Sequence, residues 1–216
     1  MAITDLGVMP NQRFQSTRLH RAAEPRVSPE GMKSYVRAKR LNVCGAPVFL
    51  HWSVLVVMGG CLAMAVSDPI VAIVAATSYF SVILIHESGH AFVASRLGYE
   101  IDSIRLSVIH GECIYDASYE TSREAALIAW GGPLAQFAAA ALVWSLSLIP
   151  VVDQSDWFGP PLVFLGYVGP LVALANLAPG SEMDGARSWP LIPMLWRDLL
   201  GRKKRPSSRG RFKVVK

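Results

Sequence analysis

Positive charge is missing where the chain is most apolar. No lysine or arginine occurs between Leu41 and Ser95, although eight precede Leu41 and ten lie from Arg187 onward. Charged residues make up only 17% of the 216 and hydrophobic ones 52%, which excludes a soluble core inside a charged shell and predicts a membrane protein. Cysteine is scarce as well. Cys44, Cys61 and Cys113 are odd in number, far apart and without a CxxC pair, which argues against a disulfide framework or a thiolate zinc site. The first thirty residues lack the unbroken apolar core of a signal peptide and read as a flexible cytoplasmic arm. Met32 opens "MKSYVRAKR", so translation could begin at Met1 or at Met32. The basic tail, residues 201–216, directly follows apolar segments; attraction to anionic lipid accounts for it, and no nucleic-acid partner is expected.

Crossing a hydrocarbon core about 30 Å thick takes roughly 20 apolar residues in a helix. Four stretches qualify, from about Pro47 to Ser67, Pro69 to Leu97, Ala125 to Ile149 and Pro160 to Leu177. The linkers "VSDP" and "PVVDQSDWFG" carry no Lys or Arg, which puts both outside and both basic termini in the cytoplasm. Between the second and third stretches, "SIRLSVI" and "CIYDASY" flank "HGE" and predict a β-hairpin. "GARSWPLIPMLWRDLLG", with Trp189 and Trp196, is too broken to span and reads as interfacial. The expected fold is thus an all-α polytopic membrane protein with about four transmembrane helices and a small cytoplasmic β-hairpin between helices two and three. Residues 1–44 form the arm, 45–185 the core, and 186–216 an interfacial segment with a basic tail.

The second stretch ends in "ILIHESGHAFVASRLG", where His86, Glu87 and His90 form H-E-x-x-H. At i and i+4 the two imidazoles share one helix face and can reach one Zn²⁺, while the adjacent glutamate can take a proton from water. A chance match in a chain this long has a probability on the order of one percent. Three ionisable groups in a membrane span are costly unless they serve a common purpose.

A catalytic zinc usually has three protein ligands, so a third must come from elsewhere. Glu100, Asp102 and Glu112 in the hairpin are available, although acidic residues in water need no special reason. Asp184 in "NLAPGSEMDGAR" lies at the cytoplasmic end of the fourth stretch, at the depth of the two histidines, where Pro179 and Gly180 break the helix. On topology alone an ordinary turn explains Asp184 about equally well. His51 and Trp52 read as interfacial anchors, His110 as an exposed turn residue, and Gly131, Gly132 and Pro133 as helix packing or substrate binding with equal ease.

HESGH in a membrane helix, then "GGPLAQ", then Asn-x-x-Pro-x-x-x-x-Asp-Gly across Asn176, Pro179, Asp184 and Gly185 resembles the site-2 protease family of intramembrane zinc metalloproteases. "GAPVFLHWS" also resembles the start of prokaryotic members, and the likeness covers roughly residues 45 to 190. The resemblance implies one Zn²⁺ per chain held by His86, His90 and Asp184, Glu87 as general base, and Asn176 as a substrate or oxyanion contact. It implies regulated proteolysis of a single-span membrane-protein substrate within the bilayer, in a prokaryotic inner membrane, with room for a regulatory partner or a second copy. Gln136 stands where many members have Asn, and "GSEM" at 180–183 is more polar than usual; both are expected to bear on substrate handling rather than on metal binding. Residues Ile104 to Ile109 of the hairpin are expected to hold an unwound substrate as an added strand. The competing readings are a silent membrane scaffold and a metal transporter, and the intact ligand set argues against the first.

Overall fold

A computed structural model describes residues 33–63, 68–108, 111–181 and 183–201. Two strands open it, β1 (Tyr35–Val43) and β2 (Ala46–His51), joined at Cys44 and Gly45. Both turn residues have positive φ, 51° and 85°, as a two-residue hairpin turn demands. Helix α1 (Trp52–Ala63) and the long α2 (Pro69–Arg96) then carry the chain to β3 (Ile101–Leu106) and β4 (Gly111–Tyr115). The sheet order is β1-β2-β3-β4, antiparallel except for β2 against β3, whose parallel pairing uses the α1–α2 crossover.

Three features of this region differ from the sequence reading. The β3–β4 hairpin between α2 and α3 is not a separate element but half of a four-stranded sheet. Part of the 1–44 arm forms β1, and residues 1–32 and His110 lie outside the described residues. The first apolar stretch opens as a strand. "APVFLH" is a short apolar run whose periodicity does not separate a buried strand from a helix, and its two neighbouring strands decide it.

The helices start and stop where side chains dictate. Asp68 caps α2 by accepting from the Ile70 and Val71 amides, both at 3.0 Å, ahead of Pro69 at the first helical position. At the other end Gly98 has φ 94°, with Tyr99 N donating to Ala94 O at 3.0 Å and Gly98 N to Ser95 O at 3.1 Å. This paired pattern turns the chain sharply into β3. Helix α3 (Ser122–Ser147) opens on a capping box between Thr121 and Glu124. After a helical turn at Pro150–Asp153 comes α4 (Asp156–Asn176), with a π-helical stretch over Leu162–Val168, then short α5 (Asp184–Ser188) and α6 (Leu191–Gly201).

Among the described residues, α2, α3 and α4 are long and apolar enough to cross a membrane; α1, with 12 residues, is shorter. The sheet packs its inner face, Val48, Ile104 and Leu106, against Ala91 and Ala94 on the C-terminal half of α2 and against Ile128 on α3. That core lies directly beside His86, Glu87 and His90.

Helices α2 and α3 meet backbone to backbone. A Cβ on Gly89 would lie 2.3 Å from Gly131 O, and one on Gly131 would lie 2.5 Å from Gly89 O. Neither carbonyl can retreat without moving its helix. Alanine ordinarily favours a helix over glycine by about 1 kcal/mol, whereas overpacking costs about 1–3 kcal/mol. Gly131→Ala is therefore expected to lower the unfolding temperature of the purified protein in detergent, and an unchanged or raised temperature would contradict the close approach.

Candidate metal centre

The two histidines are buried, at 5% and 7% exposure, and project from one face of α2 toward the non-helical stretch between Asn176 and Asp184. Their Nε2 atoms are 3.1 Å apart. Asp184 Oδ2 is 3.0 Å from His86 Nε2 and 3.2 Å from His90 Nε2. These three donors are the one such group with metal-ligand potential among the described residues. Tetrahedral zinc with ligand bonds of about 2.0–2.1 Å separates its ligand atoms by about 3.3 Å, so the donors already stand close to the spacing one ion requires. His90 Nδ1 donates to Ile128 O at 2.7 Å, so in the neutral ring the lone pair left for a metal is on Nε2. His86 Nδ1 lies 3.0 Å from Gln136 Oε1. Burial pushes the Asp184 carboxyl upward, yet hydrogen bonds with His86 and His90 hold it well below the usual carboxylate range. It is the ionised form that ligates a metal.

Small residues make this arrangement possible. A Cβ on Gly132 would lie 2.4 Å from His90 Nε2 and 2.8 Å from His86 Nε2, so glycine leaves the space both imidazoles occupy. That ties Gly132 to the two imidazoles, beyond helix packing alone. The Asp184 segment is held by indoles: Trp189 Nε1 donates to Leu177 O at 2.7 Å, and Trp130 Nε1 donates to Ser188 O at 3.0 Å. The Leu177 and Ser188 carbonyls sit at helix ends, where acceptors otherwise go unpaired. The two rings also meet edge to face, 5.9 Å between centroids. Leu177 and Ser188, on either side of the break after Asn176, are therefore both anchored by indoles.

A cavity of about 280 Å³ opens beside the donors, walled by Ile83, Ile128 and Val172 on one side and by Gly111, Cys113 and Tyr115 of β4 on another. Glu87 is buried and lines it, and Asn176 Nδ2 reaches to 3.3 Å from His86 Nε2. All five residues singled out from the sequence thus face one space. Glu100 and Asp102 do not line it. Glu112 does, but its carboxylate lies 3.8 Å from Arg105 Nη1. His51 bonds Ser53 at 2.7 Å instead of entering the cavity. Burial and the charge of Glu87 push the Cys113 thiol up to about 12, which keeps it protonated and unsuited to bind metal or attack at neutral pH.

Two features lay beyond sequence reasoning. Gln136, expected to bear on substrate handling more than on metal binding, is buried with its Oε1 3.0 Å from His86 Nδ1, a contact only the fold reveals. The strand expected to offer an edge, β3, is paired on both sides, so the outer edge on the cavity side belongs to β4.

No family model matches the chain. It is 28% identical over 178 aligned positions to the candidate zinc metalloprotease Rip3 of Mycobacterium tuberculosis, covering 72% of this chain and 43% of that protein. It is 32% identical over 119 positions to the candidate zinc metalloprotease sll0528 of Synechocystis, covering 54% of this chain and 30% of that one. The chain therefore spans less than half the length of these relatives. Its fold is similar to that of the site-2 protease from Methanocaldococcus jannaschii, with a TM-score of 0.52 at 24% identity, covering 78% of this chain and 73% of that one. The curated relatives are thus candidate zinc metalloproteases, and the fold is that of a site-2 protease.

Proposed function

We propose that the chain is an intramembrane zinc endopeptidase that hydrolyses a peptide bond in or next to the transmembrane segment of a single-span membrane protein. The observation that carries this reading is the meeting of His86, His90 and Asp184 donors at 3.0–3.2 Å beside a cavity lined by Glu87. His86, His90 and Asp184 would hold one Zn²⁺. When bound, zinc supplies Lewis-acid polarisation of the scissile carbonyl and makes water acidic enough to lose a proton near neutral pH. Glu87 takes that proton as water attacks, then returns it to the departing amine, so the acid and the base are one carboxylate. Asn176, whose amide nitrogen faces the donors, gives a hydrogen bond to the developing oxyanion.

A helical substrate hides its carbonyls and has to be extended before cleavage. The outer edge of β4 adjoins the cavity and is the surface on which an extended segment gains backbone partners. In the membrane, α1 completes a four-pass arrangement with both termini cytoplasmic, in a prokaryotic inner membrane, consistent with the lack of Lys and Arg between Leu41 and Ser95. Helix α6 exposes Ile192, Leu195, Trp196, Leu199 and Leu200, a helical stripe suited to the lipid interface, and the residues after it, 202–216, carry basic side chains and no acidic ones.

Two substitutions separate the roles. In vesicles holding a reporter substrate, Glu87→Gln is expected to reduce cleavage by at least 10²–10⁴-fold, the usual worth of a positioned acid-base group, with zinc content unchanged. Undiminished cleavage would remove Glu87 from the chemistry. Asp184→Asn is expected to lower the zinc content of purified protein measured by elemental analysis, and full stoichiometric zinc would move the third ligand elsewhere.

A further inference from the structure

We infer that Gln136 sets the tautomer and ring plane of His86, and that it can do so because the Val82 carbonyl fixes which way its amide points. The inference rests on the zinc reading for its consequence, but its geometry stands on the protein's own atoms. Gln136 is 2% exposed, so neither end of its amide can turn to water. One end lies 3.2 Å from Val82 O and the other 3.0 Å from His86 Nδ1. A backbone carbonyl only accepts hydrogen bonds. The amide NH₂ must therefore face Val82, which turns Oε1 toward His86. An amide oxygen also only accepts, so His86 Nδ1 has to carry a proton, and in the neutral ring Nε2 is then the nitrogen whose lone pair is left for a metal.

The reverse orientation would set two oxygens face to face at the Val82 end and place a donor against His86 Nδ1. It would favour the tautomer whose Nε2 carries hydrogen, and that atom could not bind a metal. Val82 is one turn ahead of His86 on α2, so a single glutamine on α3 grips the helix and its metal-donor ring together. The other ring has no such side-chain partner: His90 is oriented by the main-chain oxygen of Ile128. Of the two imidazoles, only His86 is held by a residue that substitution can remove. Side-chain length also matters, because asparagine, one methylene shorter, cannot reach both Val82 O and His86 Nδ1. Gln136 is thus a positioning residue, acting on the reaction only through His86.

The test uses the full chain in lipid. Gln136→Leu keeps the bulk and removes both hydrogen bonds; Gln136→Asn keeps the amide and removes the reach. Both are expected to weaken zinc binding 10–100-fold, the range typical when the partner of a metal-bound histidine is lost, measured by competition with a chromophoric chelator. Nitrogen-15 spectra of histidine-labelled wild-type protein, stripped of metal, are expected to show His86 protonated at Nδ1, and Gln136→Leu to lose that preference while His90 keeps it. A shift confined to one ring is something general destabilisation would not produce. Zinc affinity equal to wild type in both variants, or a wild-type His86 protonated at Nε2 and not at Nδ1, would overturn the inference. If neither variant folds, the wild-type spectrum alone decides. Wild-type protein that binds no zinc would defeat the metalloprotease reading, while the tautomer would still report on Gln136.

Discussion

Everything in the site depends on how closely α2 and α3 approach. Gly89 and Gly131 bring the two backbones together with no side chain between them, and Gly132 then faces the imidazoles of His86 and His90 with no atom where its Cβ would be. Were the helices further apart, Ile128 O and Gln136 would no longer reach the outer nitrogens of the rings, and the donor atoms would lose their common direction. In lipid, where apolar surface gains little from burial against another helix, such close packing and hydrogen bonding are what hold helices together. The glycines therefore serve helix assembly and the placing of the two imidazoles together.

The third donor reaches the site by a different device. Asp184 lies beyond a helix break, and the chain there has carbonyls that α4 no longer satisfies. Two indole N–H groups, from Trp130 and Trp189, take up Leu177 O and Ser188 O. Because Trp130 belongs to α3, the same helix that sets the histidine rings also anchors the loop bearing Asp184. A two-part site assembled from residues about a hundred positions apart in sequence is thus referred to a single rigid element.

How much of this was legible in the sequence follows from the range of each signal. That His86 and His90 share a face follows from helical spacing, whereas topology left Asp184 even with an ordinary turn and only the family resemblance singled it out; the fold sets its Oδ2 at 3.0 and 3.2 Å from the two rings. The second and third membrane helices were readable from their long apolar runs. Residues 46–51 were not, because a run of five apolar residues before His51 is equally good strand or helix until partners appear on both sides. β1, read as part of a flexible arm, owes its strand to the same pairing. Gln136 resisted reading because its role depends on a carbonyl 54 residues away, and the covering of Glu87 by β4 depends on a Gly111 contact that no spacing encodes. What sequence could not supply, in each case, was a long-range approach at close quarters.

X-ray absorption at the zinc edge of protein purified from membranes bears most directly on the account as a whole. It predicts one zinc per chain with two imidazole nitrogens and carboxylate oxygen at about 2.0–2.2 Å. A sulfur shell near about 2.3 Å, or zinc with no imidazole scattering, would contradict it.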